Sequence, residues 1–82
     1  MSTSVHHRPK LSAQATRVWF DDHMIRVDLR DGREIAVPLD WFPSLRDATP
    51  AQREAWRLVG GGIGICWEEL DEDLSVAGLL AV

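Results

Sequence analysis

The chain has few of the residues on which the chemistry of small enzymes depends. Its 82 residues include no tyrosine, one cysteine, Cys66, and one lysine, Lys10. A lone cysteine cannot form an internal disulfide, and in an apolar run it is expected to pack as a small buried hydrophobic residue. His23 is the only histidine outside the N-terminal segment, and no base lies near Cys66 in sequence. We therefore expect no catalytic residue, cofactor or metal; a small hydrolase or metal-dependent enzyme is the less favoured hypothesis.

Long apolar runs and basic residues are also scarce. No apolar run approaches the roughly 20 residues that span a bilayer, and the N-terminus has no apolar signal-peptide core, so we expect a cytoplasmic protein without membrane contact. Residues 1–14 carry Arg8 and Lys10 and no acid, whereas the rest has seven arginines against thirteen acids, a formal charge of −6. Because DNA-binding affinity comes largely from lysine and arginine, direct nucleic-acid binding is disfavoured.

The residues that are present indicate one small globular domain. Four tryptophans and two phenylalanines stand in a chain that is 45% hydrophobic, whereas disordered chains are poor in aromatic residues. Residues 1–14 are polar and show no periodicity, which predicts a flexible N-terminal tail. Residues 15–82 are expected to form a single α+β domain.

Three segments alternate apolar with polar residues, which is typical of strands buried on one face. Their apolar residues are Val18 and Phe20; Ile25, Val27 and Leu29; and Ile35, Val37 and Leu39. A two-residue turn at Asp21-Asp22 would pair Phe20 with His23 and keep the apolar residues on one face. A three-residue loop at 30–32 pairs Val27 with Ile35 and predicts a positive φ for Gly32.

The remaining segments predict short helices and further strand. Residues 39–45 are typical of a helical turn capped by Asp40, from which Trp41, Phe42 and Leu45 would cover the sheet. Thr49, with proline next and glutamine three residues on, predicts a helix from about Pro50 to Trp56. One strand or two short ones are expected around the glycines at 60–62, and a last helical turn capped by Ser75. The expected fold is a small antiparallel sheet of three to four strands with short helices packed on one face.

The glycines at positions 60, 61, 62 and 64 raise the hypothesis of a phosphate-binding loop, in which backbone N–H groups hold an anion. The Walker pattern requires lysine and then serine or threonine after the last glycine, but here apolar residues and then five acids follow. Those acids would repel phosphate. The favoured interpretation is a structural turn.

The acids form the first candidate site. They are Glu68, Glu69, Asp71, Glu72 and Asp73. Carboxylates bind Ca²⁺ or Mg²⁺, but the ligand spacing of an EF-hand is missing. A solvated acidic loop is the plain interpretation, and among functional ones a protein partner with a basic surface is favoured, because clustered carboxylates accelerate encounter with such a surface.

The apolar pair Trp19 and Met24 is the second candidate partner-binding site. If the alternating apolar residues of the first strand face the core, Trp19 points to the opposite face with Arg17 and Arg26 near it. A large apolar pair on an outer face is suited to docking. The alternatives are that a helix covers this face or that a crossing strand reverses inside and outside.

Three groups of residues, taken in order, resemble a known family. They are an apolar strand entering an Asp-Gly turn, a strand ending in a Leu-Asp helix start, and a Gly-Ile-x-Trp strand leading to Asp-Leu-Ser: Ile25, Val27, Leu29, Asp31 and Gly32; Val37, Leu39 and Asp40; Gly64, Ile65, Trp67, Asp73, Leu74 and Ser75. Over about residues 16–80 this pattern is similar to the small bacterial family known as domain of unknown function 2442. The resemblance implies an α+β domain with no assigned enzymatic activity, and some members look like partners in toxin–antitoxin gene pairs.

The leading functional hypothesis is a non-catalytic protein-binding module, antitoxin-like in that it neutralises or regulates a partner protein. The alternative is an acidic inhibitor whose carboxylates stand in for phosphates. Such an inhibitor would occupy the nucleic-acid-binding surface of a nucleoprotein machine, as a phage-encoded anti-defence (anti-CRISPR-like) protein would.

Overall fold

Two antiparallel sheets of three strands form the framework of the described part of the domain. The computed structural model describes residues 13–81, so the predicted tail lies almost wholly outside the described residues. The first sheet, in the order β1-β2-β3, contains β1 (Ala15–Phe20), β2 (Met24–Leu29) and β3 (Glu34–Pro38). The second, in the order β4-β5-β6, contains β4 (Arg57–Val59), β5 (Gly64–Trp67) and β6 (Glu72–Ser75). The expected α+β class is confirmed, although the strands form two sheets rather than one.

Three short helices and two 3₁₀ turns connect and close the sheets in residues 13–81. The 3₁₀ turns are Leu39–Trp41 and Gly60–Gly62, and the helices are α1 (Pro43–Arg46), α2 (Pro50–Glu54) and α3 (Val76–Leu80). Both expected caps on the later helices are confirmed: Gln52 N–H donates to Thr49 Oγ1 at 3.1 Å, and Gly78 N–H donates to Ser75 Oγ at 2.9 Å. The α2 helix ends two residues earlier than expected, since Trp56 packs against the core just before β4.

The register of the first sheet was predicted correctly at one hairpin and wrongly at the other. Val27 lies opposite Ile35, and Gly32 has a φ of 95°, as the three-residue loop requires. In the first hairpin Phe20 lies opposite Ile25 instead of His23. The Asp21 carboxylate accepts hydrogen bonds from the backbone N–H groups of His23 and Met24 at 2.9 and 2.8 Å, which moves the turn one residue along the chain. The apolar face is preserved because the shift in pairing is even.

The segment after β3 differs from its sequence-based prediction. Asp40 caps no helix, because Pro38 precedes the 3₁₀ turn and Phe42 precedes α1, and neither side chain caps the helix that follows. Leu45 is fully buried and Phe42 packs partly against the core. Trp41, expected to cover the sheet, is 54% exposed. Consecutive residues of so short a turn cannot all face the same core.

The glycine run forms a tight turn between β4 and β5, as the structural interpretation predicted. Gly62 has a φ of 105°, and a Cβ there would lie 2.4 Å from the carbonyl oxygen of Ala15. The tip of the second sheet therefore packs against the first residue of β1, at a distance that only glycine permits.

Trp67 joins the two sheets in one core. Its side chain is 1% exposed, and its ring packs edge-on against Phe20 with centroids 6.4 Å apart. Its indole Nε1 donates to the carbonyl oxygen of Arg53 at 3.0 Å, so the polar atom is satisfied where the ring is buried. Residues 13–81 include no helix with the length and apolar character that crossing a membrane requires.

Candidate functional site

The five candidate carboxylates lie on the hairpin that joins β5 to β6, here called the acidic hairpin (residues 68–73). The expected solvated loop is wrong for its last two residues, since Glu72 and Asp73 begin β6 and pair with Trp67 and Cys66. Asp71 closes the turn with a φ of 52°, a left-handed conformation that aspartate tolerates better than most residues. Sequence alternation missed β6 because the strand contains one apolar residue, Leu74.

The carboxylates of the acidic hairpin have few cationic partners. Glu68 accepts from Arg57 Nε at 2.8 Å, and Arg57 is the one cation within ion-pair distance of any hairpin acid in the part of the chain that the structure describes. Glu69 accepts from the Gln52 amide at 3.3 Å, and Glu72 accepts from the Ser44 hydroxyl. These amide and hydroxyl contacts hold geometry but cancel no charge. The hairpin therefore presents a strong local excess of negative charge.

Cys66 lies in a row with an arginine and an acid across the second sheet. It is opposite Arg57 on one side and Asp73 on the other, and it is half-buried where burial was expected. Burial, and then the hydrogen bond with Asp73, raise the pKa of its thiol above the usual range. A raised pKa keeps the sulfur protonated and poorly nucleophilic. Within residues 13–81, no group of three or more His, Cys, Asp and Glu side chains is arranged to hold a metal ion.

The second candidate, Trp19 with Met24, lies on the outer face of the first sheet. Trp19 is half-buried between two arginines, with the guanidinium carbons of Arg17 and Arg26 at 5.2 and 5.4 Å from its ring centroid. Its Nε1 donates to Asp28 Oδ1 at 3.4 Å. Met24, also half-buried, lies opposite Pro38 at the start of β2. The tryptophan ring already has cationic partners on this face.

The charges around Trp19 compensate one another. Arg26 binds Asp21 at 2.7 Å and Glu34 at 2.9 Å, and Arg17 lies 3.4 Å from Asp28. The hydrogen bond from Arg26, with those from two backbone N–H groups, lowers the pKa of Asp21 to about 2. The acids of this face are thus engaged in holding the first sheet together.

A third feature, which sequence reasoning missed, lies beside the acidic hairpin. β6 is an edge strand, and hollows flank its residues 73–75 on both sides. One hollow, of about 360 Å³, is lined by Trp41, Phe42, Gly78 and Leu79 as well as by the strand. The other, of about 500 Å³, is lined by Val59, Gly64 and Ile65. The sequence signal that could have pointed here was Trp41, which was expected to cover the sheet.

Comparison with known proteins places these features in a family. The family model described as "Protein of unknown function (DUF2442)" matches residues 15–82. A crystal structure of a protein of unknown function from Rhodospirillum rubrum ATCC 11170 is similar, with 36% identity and a TM-score of 0.71 over 83% of this chain and 84% of that one.

A second solved structure agrees with the first. An uncharacterized protein from Chromobacterium violaceum, determined by solution NMR, has 28% identity and a TM-score of 0.69. The match covers 83% of this chain and 64% of that one. No curated protein matches the chain. The chain therefore belongs to the DUF2442 family of proteins of unknown function.

Proposed function

We propose that this protein is a non-catalytic protein-binding module that neutralises or regulates a partner with a basic surface, and that it docks through the acidic hairpin. The observation that supports this proposal most directly is the charge of the hairpin, where one of the five carboxylates, Glu68, has an arginine within ion-pair distance among residues 13–81. Exposed charges of one sign attract an oppositely charged surface over several ångströms and accelerate encounter. A basic partner would supply the cations that the domain itself lacks there.

The outer face of the first sheet supports the proposal by contrast. A partner docking on Trp19 would have to desolvate or displace Arg17 and Arg26, which already contact the ring and nearby acids. Breaking a hydrogen bond to a charged group costs more free energy than breaking one between two neutral groups. We therefore assign the docking role to the acidic hairpin rather than to Trp19 and Met24.

The surroundings of Cys66 support the non-catalytic part of the proposal. A nucleophilic cysteine needs a lowered pKa and a positioned base. Here burial, and then the hydrogen bond with Asp73, raise the thiol pKa, and the charged neighbours of the sulfur are two acids and an arginine rather than a positioned base. The single cysteine also fits a compartment without disulfide formation, and action in the cytoplasm is part of the proposal.

Affinity capture with charge-matched variants tests the proposal. The bait is the protein with its full sequence, immobilised in extract of its native host at low salt, with mass spectrometry of the retained proteins. The hairpin variant carries Glu68→Gln, Glu69→Gln, Asp71→Asn, Glu72→Gln and Asp73→Asn. The control variant removes the same charge elsewhere, by Asp22→Asn, Glu34→Gln, Asp40→Asn, Asp47→Asn and Glu54→Gln. Wild type and control should retain a basic protein that the hairpin variant loses.

Equal capture of the basic protein by all three baits would contradict the assigned surface. Loss of capture by both variants would show that binding depends on net charge and not on the acidic hairpin. The same charge excess favours the acidic-inhibitor alternative, in which the partner's basic surface is one that binds nucleic acid. Competition with nucleic acid distinguishes the acidic inhibitor from other protein-binding modules. Displacement of the captured protein by DNA or RNA, with a steep fall in affinity as salt rises, identifies the nucleic-acid-mimicking alternative.

A further inference from the structure

One side of the β6 backbone is unpaired. The Val76 N–H donates to the carbonyl oxygen of Ile63 at 3.0 Å, which fixes that pair as hydrogen-bonded. Because hydrogen-bonded and non-hydrogen-bonded pairs alternate in an antiparallel ladder, Leu74 also directs its backbone groups toward β5. The N–H and C=O of Asp73 and the N–H of Ser75 then point to the open edge, where no strand among residues 13–81 pairs with them.

The open edge has an apolar hollow on its inner side. Glu72 and Leu74 face that side, as the contact of Glu72 with Ser44 and the position of Leu74 opposite buried Ile65 indicate. Trp41 lines the hollow and is 54% exposed. β6 is short and acidic, which disfavours pairing with another acidic strand. Its free backbone groups beside an exposed tryptophan are suited to accepting a strand of the opposite charge.

The chemistry on either side of the edge defines the strand that would fit. Residues directly opposite in an antiparallel pair point to the same face. A residue opposite Asp73 would lie beside its carboxylate on the outer side, where a basic side chain is complementary. A residue opposite Leu74 would enter the hollow lined by Trp41 and Phe42, where an apolar side chain is complementary. A second copy of β6 would instead bring acids against acids, which is destabilising.

We infer that β6 binds its partner by strand addition, taking an extended segment in which basic and apolar residues alternate. The inference rests on the proposed function for the basic character of the partner, and it adds the mode of recognition. Backbone hydrogen bonds would provide affinity, and the alternating sides of the edge would provide specificity.

The probe is a short capped peptide of alternating lysine and valine, titrated into the isotope-labelled protein and followed by NMR. Lysines opposite Asp73 and Ser75 would use their backbone amides to bond β6, while the valine amides would face away. Two isomeric peptides test which amides bond to β6: one is N-methylated on the valine amides and the other on the lysine amides. The valine-methylated peptide should bind like the parent and slow hydrogen exchange at the Asp73 and Ser75 amides. The lysine-methylated peptide should not bind.

Trp41→Ala should weaken parent-peptide binding about tenfold, because an exposed tryptophan beside a docking edge is a typical hot spot. The matched control is Ile63→Ala, which removes another exposed apolar side chain (59% exposed) that does not line the hollow. Equal binding of both methylated isomers, unchanged exchange at Asp73 and Ser75, or no binding of the parent peptide would overturn strand addition. Capture of a basic protein through the hairpin would stand in that case, so failure of this inference is distinguishable from failure of the proposed function.

Discussion

The two sheets of the domain use their acids in opposite ways. In the first sheet Asp21, Asp28 and Glu34 each contact an arginine, and Asp21 also fixes the β1–β2 turn. In the second sheet the acids are concentrated on one hairpin, and Arg57 alone among the described cations lies within ion-pair distance of them. Carboxylates thus form ion pairs that hold one sheet together, whereas most of those in the other have no cation within ion-pair distance among residues 13–81. The net charge of the chain does not distinguish these two sets of acids.

The largest effect is expected where the two sheets meet. Trp67→Ala should lower the free energy of unfolding by about 3–5 kcal/mol, because it empties the space between the sheets and removes the contact with Phe20. Urea unfolding followed by circular dichroism measures the change. Trp41→Ala is the matched control, with an expected cost of about 0.5 kcal/mol because that side chain is mostly exposed. Similar costs for the two variants would contradict a shared core organised by Trp67.

A smaller effect is expected at the backbone contact between the sheets. Gly62→Ala places a Cβ against the Ala15 carbonyl in a left-handed conformation, and should cost about 2–4 kcal/mol. Gly61→Ala shares the positive φ, at 70°, but its Cβ would meet no atom within 4 Å, so about 1 kcal/mol is expected. Thermal unfolding of both variants separates steric overlap from strain. If Gly61→Ala were equally costly, the close approach to Ala15 would not explain Gly62.

The smallest effect concerns the charges themselves. The pKa of Asp21 is lowered from 3.8 to about 2, so its contribution to stability is present above about pH 4 and is lost as the pH falls toward 2. Asp21→Asn should therefore be less stable than wild type at neutral pH, and the two should converge near pH 2. Glu69→Gln on the acidic hairpin should keep the neutral-pH stability of wild type, because Glu69 has no cation within ion-pair distance among residues 13–81. The check is a series of melting temperatures against pH; a neutral-pH loss in Glu69→Gln alone would reverse the comparison.

Most features that depend on contacts between residues close in sequence were predicted correctly, and most features that depend on distant contacts were not. The Gly32 loop, the Thr49 cap with Gln52 and the Ser75 cap depend on atoms a few residues apart, and all three were predicted correctly. The first turn was misplaced because apolar pairing was the only criterion applied to it. In the structure its position is fixed by the Asp21 carboxylate, which accepts hydrogen bonds from two backbone N–H groups. The strand β6 was missed because it contains one apolar residue, Leu74, and therefore shows no alternation. It is a strand because it pairs with β5, where Leu74 lies opposite Ile65.

The candidate site was predicted in composition but not in form. The sequence located the five acids and gave the outward position of Trp19 as one of several open interpretations, because charge density and alternation are properties of neighbouring residues. It did not show that the acids near Trp19 are paired, or that Trp41 borders an open strand edge. Those facts depend on how separate segments are brought together: Arg17 reaches Asp28 across β1 and β2, and Trp41 lies beside residues 73–75.

The sequence by itself determined the strand periodicity, the helix caps, the glycine turns and the excess of acids, since each arises from the preferences of adjacent residues. Only the tertiary structure decided that the strands divide into two sheets around Trp67, which acids find an arginine, and which strand edge stays open. The physical reason is that burial, ion pairing and edge exposure are set by distances between segments that chain order does not fix.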